Sequence, residues 1–162
     1  MDLGLRDRVA LVTGASKGLG RGIAAGLVAE GARVAIASRS AARIEAAASE
    51  IGARGYVFDA GDPDAVPGLL ERVRSDLGPI DVYVANTGGP PPGPDPLAFT
   101  REQWEAAHRS LVVTPMAFLE RLLPSMRERG FGRVVAIGSM AVSEPVDNLQ
   151  LSNAHRPGLV AA

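Results

Sequence analysis

A glycine-rich stretch near the N-terminus contains the first residues whose types and spacing could do chemistry. Thr13-Gly14-Ala15-Ser16-Lys17-Gly18-Leu19-Gly20 lies between an apolar strand pattern and a helical pattern. Gly14 permits a tight turn, Gly18 lets the backbone approach a phosphate, and Gly20 allows the helix to pack closely on the strand. Because phosphates bind at helix N-termini, this stretch predicts the pyrophosphate site of a dinucleotide. A plain strand-to-helix turn is the alternative interpretation.

The end of the second predicted strand bears on which dinucleotide would bind. An acidic residue at that point would bond the adenosine ribose hydroxyls and repel a 2′-phosphate. Ala37-Ser38-Arg39-Ser40 contains no acid, and Lys17 of the glycine-rich stretch adds a second cation to Arg39. Arginine pairs with phosphate through two parallel hydrogen bonds, and lysine acts as a point charge. The sequence therefore predicts NADP(H) in preference to NAD(H); the alternative is that both cations are ordinary surface residues.

The elements that must position these residues alternate between strands and helices. Short apolar runs predict the strands, and apolar positions at helical spacing predict the helices between them. The predicted order is strand 8–13, helix 18–30, strand 33–37, helix 41–51 after a Ser40 cap, strand 55–58, helix 62–77 and strand 80–85. This alternation predicts an α/β fold, a doubly wound parallel sheet with helices on both faces.

A proline-rich connection follows the fourth predicted strand. Residues 88–96 contain too much proline for a helix or a central strand, so they predict a stiff, extended loop. Thr100 then caps a long helical pattern that continues to Met126. Pro115 lies inside this pattern and is expected to kink or split the helix.

The last part of the chain returns to the alternation. A fifth strand is predicted over 133–139, and a further helix from about Leu151. Pro157 favours a helix that starts near residue 156 or has a distorted first turn. No linker separates two units, so residues 1–162 are predicted to form a single domain.

Composition and charge exclude several classes of protein. The 162 residues are 46% hydrophobic, which is too apolar for disorder, yet no apolar run approaches the roughly 20 residues that span a bilayer. Lys and Arg number 17 against 18 acids, and a net charge of −1 argues against nucleic acid or acidic lipid as a partner. The absence of cysteine excludes disulfides and thiolate metal sites, and no metal site is predicted. Residues 1–7 do not read as a signal peptide, so we expect a cytoplasmic protein.

The spacing Thr-Gly-x-x-x-Gly-x-Gly resembles that of the short-chain dehydrogenase/reductase family, and three later segments agree. Asp59 stands where that family places an acid against the adenine ring, Ala85–Gly88 looks like a variant of its Asn-Asn-Ala-Gly segment, and Gly132–Ser139 resembles the strand that carries its catalytic serine. The resemblance implies a Rossmann-type sheet with strand order 3-2-1-4-5. The cofactor-binding residues that it implies are Gly14, Ser16, Lys17, Gly18, Leu19, Gly20, Ser38, Arg39, Asp59, Ala60, Asn86, Gly88 and Arg156.

The catalytic positions of the resembled family are only partly matched. That family uses a serine, a tyrosine, a lysine four residues later and an asparagine in the preceding long helix. Ser139 matches the serine, whereas Ser152, Arg156 and Leu111 stand at the other three positions. A serine hydroxyl is a far weaker acid than a phenol, and arginine does not cycle a proton. Ser139, Ser152 and Arg156 are the catalytic candidates that the resemblance implies; His155 is a further candidate proton donor, or else a solvent-facing histidine.

Two functions are consistent with these residues. The first is an NADP(H)-dependent oxidoreductase that interconverts a carbonyl and an alcohol of a small-molecule substrate; the second is a catalytically inactive NADP(H)-binding module or sensor. The resemblance also implies a homodimer or homotetramer that pairs through the long helix and the helix from Leu151. Trp104 and His108 are predicted to be packing or interface residues. Family chains are longer, so we expect the last two strands of the sheet to be missing here and the 162 residues to be less than the complete functional unit.

Overall fold

In a computed structural model that describes residues 3–162, five parallel strands form one sheet in the order β3-β2-β1-β4-β5. The strands are β1 (Val9–Thr13), β2 (Arg33–Ser38), β3 (Arg54–Val57), β4 (Val82–Ala85) and β5 (Arg133–Ala136), and the helices are α1 (Gly18–Ala29), α2 (Ala41–Ile51), α3 (Val66–Leu77), α4 (Arg101–His108), α5 (Thr114–Glu128) and α6 (Gln150–Ala161). The predicted alternation and strand order are confirmed. Met1 and Asp2, which open the segment considered for a signal peptide, lie outside the described residues.

Two predicted boundaries show how local signals succeed and fail. Helix α2 has the predicted bounds, and the hydroxyl of Ser40 accepts a hydrogen bond from the Arg43 backbone N–H over 3.4 Å. The prediction of a strand over 133–139 was too long, since β5 ends at Ala136. Ser139 instead caps a 3-10 turn, Met140–Val142, by accepting from the N–H of Ala141 over 3.2 Å. The serine therefore lies in the loop that leaves the sheet.

The long helical pattern forms two α-helices that are joined directly by a π-helical segment. Thr100 and Gln103 form a reciprocal capping box at the start of α4, as the Thr100 cap predicted. A π-helical segment, Arg109–Val113, joins α4 to α5 just before Pro115. Proline has no N–H to donate to the carbonyl four residues earlier, and a π turn accommodates the missing bond while the helix continues.

Helix α6 begins earlier than Pro157 suggested. It starts at Gln150, as the helix predicted from about Leu151 required, and runs through the proline, so the alternative start near residue 156 was wrong. The first turn is held by a contact that the local sequence does not show. The Asn153 side chain accepts from the Val146 N–H over 3.0 Å and donates to the Val146 carbonyl over 2.9 Å. This pair of bonds fixes the helix start in spite of the proline.

The core consists of two apolar layers, one on each face of the sheet. On one face, strands β1 to β4 pack against α3 and α5, and the ring of Phe118 stacks on Tyr83 with centroids 4.7 Å apart. On the other face, Ala24 of α1 and Ile44 of α2 pack against the sheet. Strand β5 lies at the edge of the sheet and is exposed along its length. Burial of each large side chain in these layers stabilises the fold by roughly 1.5–3 kcal/mol.

A buried carboxylate organises the amino ends of the strands. Asp81, 8% exposed, precedes β4 and accepts a hydrogen bond from the Val9 N–H over 3.2 Å. Arg129 donates to the same carboxylate over 3.3 Å and to the Ile80 carbonyl over 2.8 Å, and Arg8 lies 3.8 Å from it. These bonds join the starts of β1 and β4 to the end of α5.

Residues 3–162 contain neither a membrane-spanning helix nor a cluster of metal-binding side chains. None of the helices formed by these residues has the length and apolar character needed to cross a bilayer. Within the same range, His, Asp and Glu side chains do not converge in threes as a metal site would need.

Candidate functional site

The residues of the glycine-rich stretch line a cavity at the carboxyl ends of the strands. In open α/β sheets, ligands bind at this edge where the strand order reverses, here between β1 and β4. The cavity has a volume of about 250 Å³. It is lined by Thr13, Gly14, Ser16, Lys17, Ser38, Arg39, Ser40, Arg43, Phe58, Ala60, Asn86, Thr87 and Gly88. Eight of the predicted cofactor-binding residues therefore meet here: Gly14, Ser16, Lys17, Ser38, Arg39, Ala60, Asn86 and Gly88.

The turn at Gly14 is locked to the end of β4 by Asn86. The Asn86 amide donates to the carbonyls of Thr13 and Gly14 over 3.2 and 2.9 Å, and the Thr13 hydroxyl donates to the Asn86 carbonyl over 2.9 Å. Gly14 has a φ of +59°, and a Cβ built there would lie 2.6 Å from the Asn86 carbonyl oxygen. A Cβ at Gly20 would lie 2.6 Å from the Gly14 carbonyl oxygen. The positive φ of Gly14 agrees with the predicted tight turn, and the short contact at Gly20 agrees with the predicted close packing of the helix.

The start of α1 presents free backbone donors and a cation. Lys17 is the N-cap residue, and its side chain makes no capping bond, so the first N–H groups of the helix have no side-chain acceptor. Gly18 has a φ of +57°, and a Cβ there would meet no protein atom within 4 Å. Leu19 is 71% exposed at the same end. Such an end attracts a phosphate through both its N–H groups and its dipole.

The end of β2 supplies positive charge and an unbonded hydroxyl. Arg39 and Arg43 both line the cavity, as Lys17 does. The Oγ atom of Ser38 is buried and has no hydrogen-bond partner among the described residues. A buried polar group without a partner is costly, so this hydroxyl fits a site whose ligand would complete it. The sequence analysis did not identify Arg43 as a binding residue. The sequence shows a cation three residues after the Ser40 cap, but only the position of α2 in the fold shows that this cation lines the cavity.

A second cavity of about 370 Å³ continues from the first and shares Arg39 and Ala60 with it. Asp59 lines this second cavity, and its carboxylate accepts from the Gly61 N–H over 2.9 Å. The Ala60 carbonyl accepts from the hydroxyl of Thr114 on α5 over 2.8 Å. The loop after β3 is therefore held in place on both sides, with the Asp59 side chain towards the cavity.

The three catalytic candidates lie apart from these cavity linings. Ser152 is 3% exposed, and its Oγ accepts from Nε of Arg156 over 3.0 Å. The Arg156 guanidinium also donates to the Ile137 carbonyl over 3.0 Å, two residues before Ser139. Burial lowers the pKa of the Arg156 guanidinium from its ordinary value, although arginine stays protonated in proteins. Ser152 and Arg156 lie four residues apart within α6, which is helical from Gln150 in spite of Pro157.

His155 belongs to a different cluster. Its Nδ1 lies 2.7 Å from the Leu151 carbonyl, and its ring centroid is 5.7 Å from Trp104 and 5.6 Å from His108. In residues 3–162 no hydrogen bond joins it to the catalytic candidates, so the structure gives no support to His155 as a proton donor. The packing role predicted for Trp104 and His108 agrees with this cluster. Leu111 lies in the π-helical segment and is 2% exposed.

Comparisons with known proteins place this site in a family. The sequence model described as short chain dehydrogenase matches residues 8–154. The 3-oxoacyl-(acyl-carrier-protein) reductase FabG of Haemophilus influenzae is 32% identical over 143 residues, which are 86% of this chain and 58% of that protein. The acetoacetyl-CoA reductase of Rhizobium meliloti is 36% identical over 137 residues, 83% of this chain and 56% of that one. The chain thus spans somewhat more than half the length of these relatives.

Solved structures agree with the sequence comparison. The L-sorbose reductase of Gluconobacter frateurii, complexed with NADPH and L-sorbose, superposes with a TM-score of 0.92 at 29% identity, over 99% of this chain and 63% of that one. A metagenomic short-chain oxidoreductase in complex with NADP gives a TM-score of 0.91 at 30% identity, over 97% of this chain and 73% of that one. Both neighbours share the fold described above and are complexed with a dinucleotide.

Proposed function

The chain belongs to the short-chain dehydrogenase family, and on that premise we propose that it is an NADP(H)-dependent oxidoreductase that interconverts a carbonyl and an alcohol. The observation that carries the proposal is the cavity at the switch point of the sheet. It combines the glycine turn, the uncapped start of α1, an unbonded Ser38 hydroxyl and cations at the end of β2. The reductase names of two relatives and the NADPH and NADP complexes of two structural neighbours support it.

The residues present fit NADP(H) from one end of the cavity to the other. The first N–H groups of α1 would bind the pyrophosphate, because Asn86 holds the Gly14 turn open towards it. Arg39 and Lys17 would bind the 2′-phosphate, and Ser38 would bond the adenosine ribose or that phosphate. Asp59 would lie beside the adenine ring. When bound, the cofactor supplies or accepts the hydride of the reaction.

Ser139, Ser152 and Arg156 are our proposed residues for the reacting oxygen. Arg156 Nε occupies a lone pair of the Ser152 oxygen, which leaves the serine hydrogen free to be donated. Ser139 and Ser152 would then hold the substrate oxygen, and the Arg156 charge would favour negative charge on it. A hydroxyl beside a guanidinium remains a weaker acid than a phenol, so turnover would be slow.

The test is a titration followed by turnover. NADPH fluorescence should saturate with the chain, and a panel of ketones and thioesters should include a substrate whose reduction consumes NADPH. Ser139→Ala should abolish turnover while leaving the NADPH dissociation constant within about twofold, because Ser139 lies outside the cavity lining. Failure to bind NADPH would overturn the proposal.

A second candidate function, an NADP(H)-binding module without turnover, is favoured by Leu111. This side chain is apolar and 2% exposed at the position where the family places an asparagine. A leucine cannot hold the water of a proton relay. Saturable NADPH binding with no substrate in the panel would support this function over the first.

A further inference from the structure

Arg43 is the residue of the cavity that neither the resemblance nor the proposed function uses. It is the third residue of α2, three positions after the Ser40 cap, and its side chain is exposed. It lines the cavity together with Lys17 and Arg39. Three cations thus surround one space of about 250 Å³.

None of these three cations is neutralised by a carboxylate. Across residues 3–162, neither Lys17, Arg39 nor Arg43 has an Asp or Glu oxygen within 4 Å. Elsewhere on the surface, arginines do pair with acids, as Arg101 does with Glu105 over 3.0 Å. The positive charge around the cavity is therefore available to a ligand, and its concentration suits a group with two negative charges.

The position of Arg43 on its helix is unfavourable without an anion. The N-terminus of a helix carries partial positive charge, so a cation in the first turn is repelled and an acid is preferred. The first turn of α2 contains no acid and has Arg43 instead. By contrast, α4 begins away from the cavity and has Glu102 in its first turn. An anion bound between Arg43 and the start of α2 would reverse this repulsion.

The Ser38 hydroxyl is a second, independent indication that an anion binds in this cavity. Its Oγ is buried in the cavity wall without a partner in the described part of the chain. A hydroxyl donates one hydrogen bond, and a phosphate oxygen would accept it. The unbonded hydroxyl and two of the unpaired cations, Arg39 and Arg43, thus lie at the end of β2 and the start of α2.

We propose that Arg43 is a second specificity-determining guanidinium for the 2′-phosphate of NADP(H), acting together with Arg39. The inference rests on the proposed cofactor and deepens it. A single arginine would make preference for NADPH depend on one residue. Two arginines divide the phosphate contacts between them, so that removal of either leaves part of the preference. Lys17, the N-cap residue of α1, contributes further charge to the same cavity.

The test measures dissociation constants for NADPH and NADH with the unmodified chain, Arg39→Ala, Arg43→Ala and the double variant. Loss of one charge-assisted contact should weaken NADPH binding about fivefold to tenfold in each single variant. Each single variant should still prefer NADPH, and the double variant should keep at most the small preference that Lys17 supplies. NADH constants should stay within about twofold throughout, which shows that every variant is folded.

Two simpler probes and a control variant sharpen the result. The same losses should appear with 2′,5′-ADP and be absent with 5′-AMP, which lacks the 2′-phosphate. Added salt should weaken NADPH binding less in Arg43→Ala than in the unmodified chain, because fewer charges are screened. Arg127→Ala removes an exposed guanidinium that lines a separate pocket on α5, and it should change none of these constants.

The outcomes separate the inference from the proposed function. If the unmodified chain binds neither NADPH nor NADH, the proposed function fails. If it prefers NADPH but Arg43→Ala leaves the NADPH constant unchanged, or Arg39→Ala alone removes the preference, only the inference about Arg43 fails.

Discussion

Arg156 and Ser152 lie one turn apart on α6 and are joined by a hydrogen bond of 3.0 Å from guanidinium Nε to hydroxyl Oγ. The same guanidinium reaches across to the Ile137 carbonyl at the end of β5, so one side chain links α6 to the sheet. The pair therefore has a structural role whether or not the chain catalyses a reaction.

Arg156→Ala should destabilise the fold. The Ser152 hydroxyl and the Ile137 carbonyl would each lose a charged donor, and one unsatisfied buried polar group costs about 1–3 kcal/mol. Water can reach part of the site and replace some of the lost bonds. We therefore expect the free energy of unfolding in urea to fall by an amount near the lower end of that range. Ser152→Ala leaves the bond to Ile137 intact and should cost less. An unfolding midpoint unchanged by Arg156→Ala would contradict this role.

Gly14→Ala and Gly22→Ala should have opposite effects. The φ of +59° at Gly14 is strained for alanine by roughly 1–2 kcal/mol, and the new Cβ would also collide with the Asn86 carbonyl. We expect lower stability and loss of NADPH binding. Gly22 lies within α1 with open space around it, and alanine there should stabilise the fold by roughly 0.5–1 kcal/mol. Equal unfolding midpoints for the two variants would refute the assignment of Gly14 to a strained turn.

Neither tyrosine should ionise near its ordinary pKa in the folded chain. Burial raises the pKa of Tyr83, and burial together with the 2.8 Å bond to Asp76 raises that of Tyr56. Because the folded pKa values lie above the unfolded ones, this contribution to stability is complete below a pH of about 10 and is lost as the pH rises beyond it. Tyrosinate absorbance should therefore appear together with unfolding. In urea both residues should titrate near their ordinary value; titration of the folded chain in the same range would be evidence against the burial described.

Self-association should involve the ring cluster on α4 and α6. Trp104, His108 and His155 pack against one another on helices that the resemblance assigns to the subunit interface. We expect light scattering to give a dimer or tetramer, and Trp104→Ala to shift the distribution towards monomer. The π-helical segment Arg109–Val113 directly follows His108, so it lies next to this cluster in the chain. A monomer at every concentration for the unmodified chain would rule out this contact.

The sequence predicted features that depend on nearby residues and missed those that depend on distant ones. Apolar periodicity and the Ser40 cap were sufficient for α2, and the alternation of elements was sufficient for a parallel sheet, whereas the strand order came from the resemblance. The start of α6 depends on bonds between Asn153 and Val146, which outweigh the local effect of Pro157. Arg43 joins the cavity only because α2 begins beside β2, and no local pattern shows that distance.

Asp81 and its partners Val9, Arg129 and Arg8, here called the Asp81 cluster, affect which substitutions the chain can accept during evolution. The cluster joins β1, β4 and α5 at the amino ends of the strands, whereas the cavity and the end of β5 lie at the opposite edge. Anchoring and chemistry are thus physically separated by the length of the strands. The residues bonded to Asp81 do not line the cavity, so a substitution in the cavity lining leaves these bonds in place. Residues that line the cavity can therefore vary during evolution without loss of the Asp81 anchor.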